Sequence, residues 1–445
     1  MSQTINESKE SKESKESKHP EVDLVECHQE GTLETLNALI AEDHQHEIKL
    51  RTMSWQRAAW LLAGDQVCLA IMAQSWSLSV LGWVPGIITM LVACILFWVT
   101  SITMHEFIMR HPQIMDICDF GYYAFGKSRI AYAFTAFMLL ANNIFLIGFH
   151  ILTGAKILNT LSDHSLSAFM GLAILLFLIF VGIEDAPLYG YNGDYPTQGP
   201  VRTYAFPLPG TSWVACTNAV LNIIFLWVPQ ALFPTFISEM ERPQDFPKSL
   251  AVLAAISAVL FIVPPAIGFR YLGQYATAPA FGSLGVTAYK KASFAFVIVP
   301  TLVIAVIYTN VAAKFVYFRV MRNSTHAHRN TIIGWGVWGA SMVGIWVIAF
   351  VLAEVIPSMG DFLSLSGSAF GSFFGFIFYA VVYWQMHKGG LFAGVGRSIM
   401  TGIHGIVLLC GLFLLGPGLY VAVEAVIADY SGGTRPAFSC ANAAI

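Results

Sequence analysis

Charged side chains are scarce in this sequence: they make up 11% of its 445 residues, whereas soluble domains carry about 25%. Hydrophobic residues make up 56%, and the mean hydropathy is +0.64. This composition excludes an ordinary soluble domain and predicts an all-α polytopic membrane protein, because a helix satisfies its own backbone hydrogen bonds in lipid. The net charge of −3 indicates no partner of either sign, and we expect no nucleic-acid partner.

The sequence also has few signs of catalysis. Its seven cysteines are scattered, and most stand in apolar runs, which favours small core residues over disulfides or metal ligands. His105 and Glu106 with His111 resemble a zinc helix only superficially, because the second histidine is not four residues after the first. The chain has no phosphate-binding loop, no nucleophile elbow in a suitable context and no repeated channel filter. We therefore predict no enzyme, no cofactor and no metal site.

Three regions follow from the distribution of polar residues. Residues 1–57 include a Ser-Lys-Glu repeat without an apolar face, which predicts a disordered cytoplasmic tail, either carrying modification sites or inert. Residues 58–428 form the predicted transmembrane domain, and 429–445 a short polar tail. Each apolar run is long enough to cross roughly 30 Å of hydrocarbon. The predicted spans number about ten: 61–81, 83–108, 130–158, 166–183, 212–237, 250–272, 292–316, 332–355, 359–384 and 399–427.

The strongest local signal lies at 225–250, FLWVPQALFPTFISEMERPQDFPKSL. Pro229 and Pro234 interrupt its apolar half, and charges then crowd between Glu239 and Lys248. A proline inside a helix removes one backbone hydrogen bond and blocks another. In lipid the freed groups are tolerated only where protein or a polar cavity satisfies them. The stretch predicts a broken membrane helix at a solute site, with a ligand-free proline kink as the alternative.

The corner ISEMERPQDFPKSL at 237–250, followed by a long apolar helix, resembles the amino acid/auxin permease family and is most similar to its fungal neutral amino acid permeases. Weaker likenesses agree, at LGWVPG (81–86), HIL (150–152) and AVLNIIF (219–225). The resemblance covers about residues 54–427. It implies a leucine-transporter-type inverted-repeat helical bundle, in which a substrate lies between broken first and sixth helices.

The resemblance also implies the function. We expect a secondary active transporter of neutral amino acids, coupled to protons or another cation, working by alternating access in a lipid bilayer. Two alternatives stay open: a non-transporting amino acid sensor of the same fold, or an inactive transporter that lacks one helix. The expected location is the plasma membrane, with the vacuolar membrane as the alternative.

Two features depart from the family pattern. Ala70 and Ser75 stand where the family has Gly and Pro in its first break, and Val228-Pro229-Gln230 stands at the second. The family has eleven spans, and the sequence has about ten. With the N-terminus inside, the positive-inside rule puts the basic clusters near Arg319 and Arg397 on the wrong side, unless one crossing is missing between 166 and 212. That crossing is either absent from the fold or encoded by an extra segment near 180–182.

Candidate site residues come from the two expected breaks. A zwitterion needs partners for both charges, and half-helix ends offer free N–H groups and carbonyls. The predicted substrate-binding residues are Ala70, Ile71, Ala73, Gln74, Asn143, Phe225, Trp227 and Gln230. For Trp227, ordinary packing or an interfacial position is the alternative.

Polar groups inside spans supply the remaining candidates. Asp65 is assigned to proton coupling or to shaping the first break, with a hydrated structural role as the alternative. Asn143 and His150 share one face of the third span, and together with Asn142 they predict a cavity lining or hydrogen bonds between helices. Asn310 has the same two interpretations. Glu239 and Arg242 are expected to hold the cytoplasmic corner, as a gate or as plain structure.

Overall fold

Helices make up most of the residues that the structure describes. The structure, a computed structural model, describes residues 51–154, 166–184, 187, 199–321, 324, 331–356 and 358–431. Most of the predicted N-terminal tail, residues 185–186 and 188–198 of the loop 184–210, and most of the C-terminal tail lie outside the described residues. Residues 51–57, assigned to the tail from sequence, are folded: Met53 forms a parallel bridge with Met240, and the first helix begins at Trp55.

The helices follow the apolar runs closely, because an all-apolar stretch has no other way to satisfy its backbone in lipid. The first nine are α1 Trp55–Gln66, α2 Gln74–Leu81, α3 Trp83–Arg110, α4 Ile117–Ala124, α5 Arg129–Gly154, α6 Leu166–Ile183, α7 Trp213–Leu226, α8 Phe233–Glu239 and α9 Phe246–Leu272. The rest are α10 Thr287–Val320, α11 Ile332–Val355, α12 Met359–Ser366, α13 Phe378–Met386, α14 Val395–Phe413 and α15 Leu419–Ser431. Two π-helical segments, Gly367–Ile377 and Leu414–Gly418, join α12 to α13 and α14 to α15.

Six helical stretches among the described residues are long and apolar enough to cross a membrane: Trp83–Arg110, Arg129–His150, Pro243–Tyr275, Ile332–Val355, Met359–Met386 and Val395–Ser431. Shorter apolar helices occupy Leu69–Leu81, Met170–Ile183 and Trp213–Leu226. The all-helical membrane architecture is thus as predicted. The count of ten spans and the inverted repeat remain predictions.

One end of the molecule, the corner end, gathers the N-terminal segment and the predicted corner. Met53 N donates to Glu239 O at 3.0 Å, and Glu241 N donates to Met53 O at 2.9 Å. His105 Nε2 lies 3.0 Å from Pro243 O, which brings the end of α3 to the same place. Arg110 Nη1 donates to Met386 O at 3.3 Å, so α13 also ends there.

The opposite end, the loop end, is closed by residues 199–206. Trp83 N donates to Tyr204 O at 3.0 Å, and Arg202 N donates to Gln274 Oε1 at 2.7 Å. Gly82 has a positive φ of 78°, and a Cβ there would lie 2.9 Å from the backbone of Ala205. Glycine is therefore required at the turn between α2 and α3.

Consecutive helices α5 and α6 run in the same direction. In α5, the Tyr132 ring lies 5.9 Å from the Arg319 guanidinium and His150 lies 6.4 Å from Tyr308, so α5 is antiparallel to α10. At the loop end, Phe180 of α6 stacks on Tyr289 at 4.4 Å. Since α6 packs along α10 from that end, it is antiparallel to α10 as well. The residues that join α5 to α6, 155–165, lie outside the described residues.

Candidate functional site

The first helix is interrupted, as predicted, but its interruption begins earlier than 70–74. α1 ends at Gln66, Cys68 has an extended backbone (φ −121°, ψ 173°), and a 3-10 turn at Leu69–Ala73 leads into α2. Neither glycine nor proline marks the extended residues. Every residue of the 3-10 turn is buried, so the irregular backbone is enclosed by protein rather than exposed to lipid, as a membrane requires.

The second interruption lies where its prolines predict it. α7 ends at Leu226, and α8 begins at Phe233 with Pro234 in its first turn. Two 3-10-like hydrogen bonds stabilise the residues between α7 and α8: Leu232 N donates to Pro229 O, and Phe233 N donates to Gln230 O, both at 3.2 Å. The predicted break at Val228-Pro229-Gln230 is thus confirmed.

The two interruptions face each other. Gln66 Nε2 donates to Leu226 O at 2.8 Å, which joins the last residue of α1 to the last residue of α7. Gln74 Nε2 donates to Asn222 O at 3.1 Å, one turn further toward the loop end. Ser257 of α9 donates to Gln66 Oε1 at 2.9 Å. The carbonyl of Leu226, freed at the end of α7, is therefore satisfied by a glutamine side chain.

A cavity of about 80 Å³ lies between these interruptions, α5 and α10. Its polar wall comprises Asp65, Gln66, Asn142, Asn143, His150, Tyr308 and Ser366. Its other lining residues are Cys68, Leu146, Phe149, Phe225, Leu226, Val228, Pro229, Ala231, Leu232, Ile304 and Gly371. The lining is mostly apolar with a few convergent polar groups, which is typical of a small-molecule site.

Asp65 is positioned by Tyr308. The Tyr308 hydroxyl donates to Asp65 Oδ2 at 3.4 Å, and the His150 ring lies 6.4 Å from the Tyr308 ring. His150 Nδ1 lies 2.6 Å from Leu146 O, so that nitrogen carries the proton and donates to the carbonyl. An acid, a phenol and an imidazole are thereby gathered on one side of the cavity.

Asn143 is the most conspicuous polar group of the wall. It is 1% exposed, and neither its Nδ2 nor its Oδ1 has a hydrogen-bond partner among the described residues. A buried amide without partners costs a few kcal/mol unless something satisfies it. Asn143 is one of the residues that line the cavity, so we expect a bound molecule or water to satisfy its amide.

The predicted substrate residues are divided between the cavity and the packing behind it. Asn143, Phe225 and the coupling candidate Asp65 line the cavity, with Asn142 and His150. The others lie outside the lining: Ala70, Ile71, Ala73 and Gln74, all with no exposed surface, and Trp227 and Gln230.

Two of these non-lining residues, Trp227 and Gln230, have structural partners. The ring centroid of Trp227 lies 5.8 Å from that of Phe97 and 5.0 Å from that of Phe261. These contacts favour ordinary packing, the alternative to substrate binding given for Trp227 from the sequence. Gln230 Nε2 donates to Thr100 Oγ1 at 3.2 Å. Asn310, by contrast, is exposed on the surface of α10.

Sequence reasoning missed Tyr308, Ser366 and Gly371 as lining residues. Tyr308 sits two residues before Asn310 in an apolar helix, where a tyrosine gives no sign of which face meets a cavity. Ser366 and Gly371 belong to a stretch of alternating small and aromatic residues, and only the tertiary packing shows which of them reach the site.

The corner residues Glu239 and Arg242 are placed at the corner end, where Glu239 contributes its backbone carbonyl to Met53. Within the described residues the ion pair of the corner joins Lys248 and Asp245 at 2.7 Å, and Glu239 forms none with Arg242. Whether the corner acts as a gate stays a prediction.

Two interrupted helices around a cavity, in a chain whose described residues are almost all helical and include several helices able to cross a membrane, define an integral multi-pass membrane protein with a candidate solute site. Comparison with known proteins gives the family. The profile described as "Transmembrane amino acid transporter protein" matches residues 51–191 and 165–424. The chain belongs to this family.

Curated relatives agree with that assignment. The chain is 26% identical to the "N amino acid transport system protein" of Neurospora crassa, over 90% of this chain and 91% of the relative. It is also 26% identical to a "Transmembrane transporter" of Gibberella moniliformis, over 91% and 90%. A "Transmembrane transporter" of Fusarium pseudograminearum is 24% identical over 91% and 90%. The resemblance read from the corner motif is confirmed.

Proposed function

We propose that this protein is a secondary active transporter that moves neutral amino acids by alternating access and couples their movement to a proton gradient. The observation that carries the proposal is the cavity between the two helix interruptions, which combines Asp65 and an unpartnered Asn143 with an apolar wall. The family assignment supports a transporter of amino acids. The chemistry of the cavity supports neutral amino acids as the substrates.

The ammonium group of a substrate has suitable partners at the helix ends. Gln66 and Leu226 are the last residues of α1 and α7, and both line the cavity. The C-terminal end of a helix carries a partial negative charge and carbonyls without intrahelical partners. Asp65 adds a carboxylate one residue before the end of α1. This region of the cavity therefore favours a cation.

The rest of the cavity favours a neutral side chain. The described residues of its lining include no lysine or arginine, so an acidic side chain would be desolvated without a counter-ion, which is costly. Leu146, Phe149 and Ile304 offer apolar contact. Asn143 supplies an N–H group for a carboxylate and a carbonyl for a donor.

Coupling to protons is assigned to Asp65 because an acid inside a membrane domain is expensive and marks an ion or proton pathway. In symport the proton and the substrate are bound at the same time, so Asp65 holds the proton while the carbonyls at the ends of α1 and α7 hold the ammonium group. Substrate affinity then depends on whether the proton is bound, which is the requirement for coupled transport. Its hydrogen bond from Tyr308 links that change to α10.

Alternating access requires that each end of the molecule opens in turn. Both ends are held by contacts in this structure: the Met53 pairing at the corner end and the Tyr204 pairing at the loop end. The interruptions at 67–73 and 227–232 are the points where half-helices can tilt without breaking a continuous helix, as in transporters built from discontinuous helices.

Uptake of radiolabelled amino acids by proteoliposomes tests the proposal. We expect accumulation of neutral amino acids above the external concentration when the outside is acidic, collapse of that accumulation by a protonophore, and no accumulation of glutamate or lysine. Binding of a neutral amino acid without uptake would instead support a sensor. Absence of both binding and uptake across the panel would reject the function.

A further inference from the structure

The segment that follows α12 contributes to the cavity wall and has an unusual backbone conformation. Gly367–Ile377 is π-helical, and π-helical turns are rare and frequent at functional sites. Three glycines stand four residues apart in it, Gly367, Gly371 and Gly375, and this spacing places them on one face. That face packs against the second interruption, where Val228 and Leu221 are the neighbours.

Two of the three glycines are needed for this packing. A Cβ at Gly367 would lie 2.9 Å from Leu221 O, and a Cβ at Gly375 would lie 2.7 Å from Val228 Cγ2. Both distances are shorter than atoms in a folded protein accept, so a methyl group at either position would displace α7 or the residues after it. These glycines permit a close approach of two backbones.

Gly371 differs from its two neighbours. A Cβ there would meet Val228 Cγ2 at 3.7 Å and Ser366 O at 3.8 Å, which are ordinary contact distances. The packing therefore accepts alanine at this position. Gly371 also lines the cavity, whereas Gly367 and Gly375 do not. Because Gly371 has no side chain, the cavity is larger at this position. At Gly367 and Gly375, by contrast, the missing side chain makes room for the neighbouring segment.

The same cavity carries an independent sign of a ligand. Asn143, buried to 99%, is one of the lining residues, and both polar atoms of its amide lack a hydrogen-bond partner among the described residues. A molecule that meets this amide extends along the apolar part of the lining, which includes Phe225, Val228 and Gly371. In a cavity of about 80 Å³, one added methyl group removes a sizeable part of the space.

We propose that Gly371 sets the upper size of the substrate side chain, with Val228 as the facing wall. This inference rests on the proposed function, because it presumes that amino acids are the cargo. It assigns the size limit to a residue of the π-helical segment, outside both interrupted helices.

Gly371→Ala is the test, measured as uptake of radiolabelled glycine, alanine, leucine and phenylalanine in proteoliposomes. Uptake of glycine and alanine should persist, and kcat/KM for the larger amino acids should fall roughly tenfold or more relative to alanine, the range that one methylene group produces in an apolar pocket. Gly336→Ala is the matched control, because a Cβ at Gly336 meets no atom within 4 Å. It should leave the selectivity unchanged.

Val228 provides the reverse test and a rescue. Val228→Ala should shift preference toward the larger amino acids, and adding it to Gly371→Ala should restore part of their uptake, because the removed methyl groups lie next to the added one. Equal loss for all four amino acids in Gly371→Ala, or no change in their ratios in either variant, would overturn the inference. If the wild-type protein carries none of the four, the proposed function fails and the inference fails with it.

Discussion

Asp65, Tyr308 and Asn143 carry most of the chemistry proposed for the cavity. They come from α1, α10 and α5, so the site exists only when three separate helices are packed. The sequence indicates Asp65 and Asn143, because an acid and an amide are rare inside membrane helices. It gives no sign of Tyr308, whose hydrogen bond to Asp65 depends on how α10 packs.

Asp65→Asn should abolish accumulation driven by a pH gradient, because asparagine keeps the shape and the contact with Tyr308 but cannot exchange a proton. Exchange of labelled for unlabelled amino acid, which needs no net proton movement, should persist. Asp245→Asn is the control: its partner is Lys248 at the surface, where an ion pair contributes about 0–1 kcal/mol. Undiminished uphill uptake by Asp65→Asn would reject the role in coupling.

Asn143→Leu should change stability and activity in opposite directions. Removing an amide without partners relieves a desolvation cost of about 1–3 kcal/mol, so the melting temperature in detergent should stay equal or rise. Uptake should fall at least roughly tenfold, because the substrate loses a hydrogen-bonding partner. Asn310→Leu, at an exposed position of α10, should leave uptake intact. A large loss of stability in Asn143→Leu would point to an interhelical role instead.

At the scale of elements, the two interruptions differ in how far the sequence predicts them. The second is marked by Pro229 and Pro234, and it lies where those prolines indicate. The first carries no proline or glycine at Val67 or Cys68. Its position is set by tertiary contacts, since Gln66 bonds both Leu226 and Ser257 at the point where α1 ends. Local propensity cannot reveal a break of that origin.

Gln66→Leu tests whether this glutamine joins the interruptions. The substitution leaves Leu226 O and the Ser257 hydroxyl without their partner, at a cost of about 1–3 kcal/mol for each buried group. We expect a lower melting temperature in detergent and reduced uptake of every substrate. Adding Ser257→Ala removes one of the two orphaned groups and should recover part of the stability. A double variant less stable than Gln66→Leu alone would contradict this account.

At the scale of the whole molecule, the parallel course of α5 and α6 explains the charge pattern of the sequence. Successive crossings of a membrane alternate in direction, so two parallel neighbours imply a missing crossing between them. The family profile agrees, because its two matched segments overlap at 165–191, as if one stretch of chain stood for two parts of the family pattern. The helix α6 is continuous from Leu166 to Ile183, and the place of the missing crossing, between α5 and α6 or near 180–182, stays a prediction.

With one crossing missing between α5 and α6, the basic clusters near Arg319 and Arg397 lie at the same end as Arg110. Arg110 and Arg397 lie by the ends of α13 and α14 at the corner end, and Arg319 lies over Tyr132 near the start of α5. The positive-inside rule then assigns the corner end to the cytoplasm and the loop end to the outside. The positions of the basic residues can be read from the sequence. Only the direction of α6 shows how these positions agree with the positive-inside rule.

Cysteine labelling at the two ends tests this topology. Phe206 is 62% exposed at the loop end, and Ala393 is exposed between α13 and α14 at the corner end. In a background with the seven native cysteines replaced and uptake retained, Phe206→Cys should react with a membrane-impermeant maleimide on intact cells. Ala393→Cys should react only after permeabilisation. Labelling of both positions from the same side would mean that residues 206 and 393 do not lie on opposite sides of the membrane. The assignment of the corner end to the cytoplasm would then be abandoned.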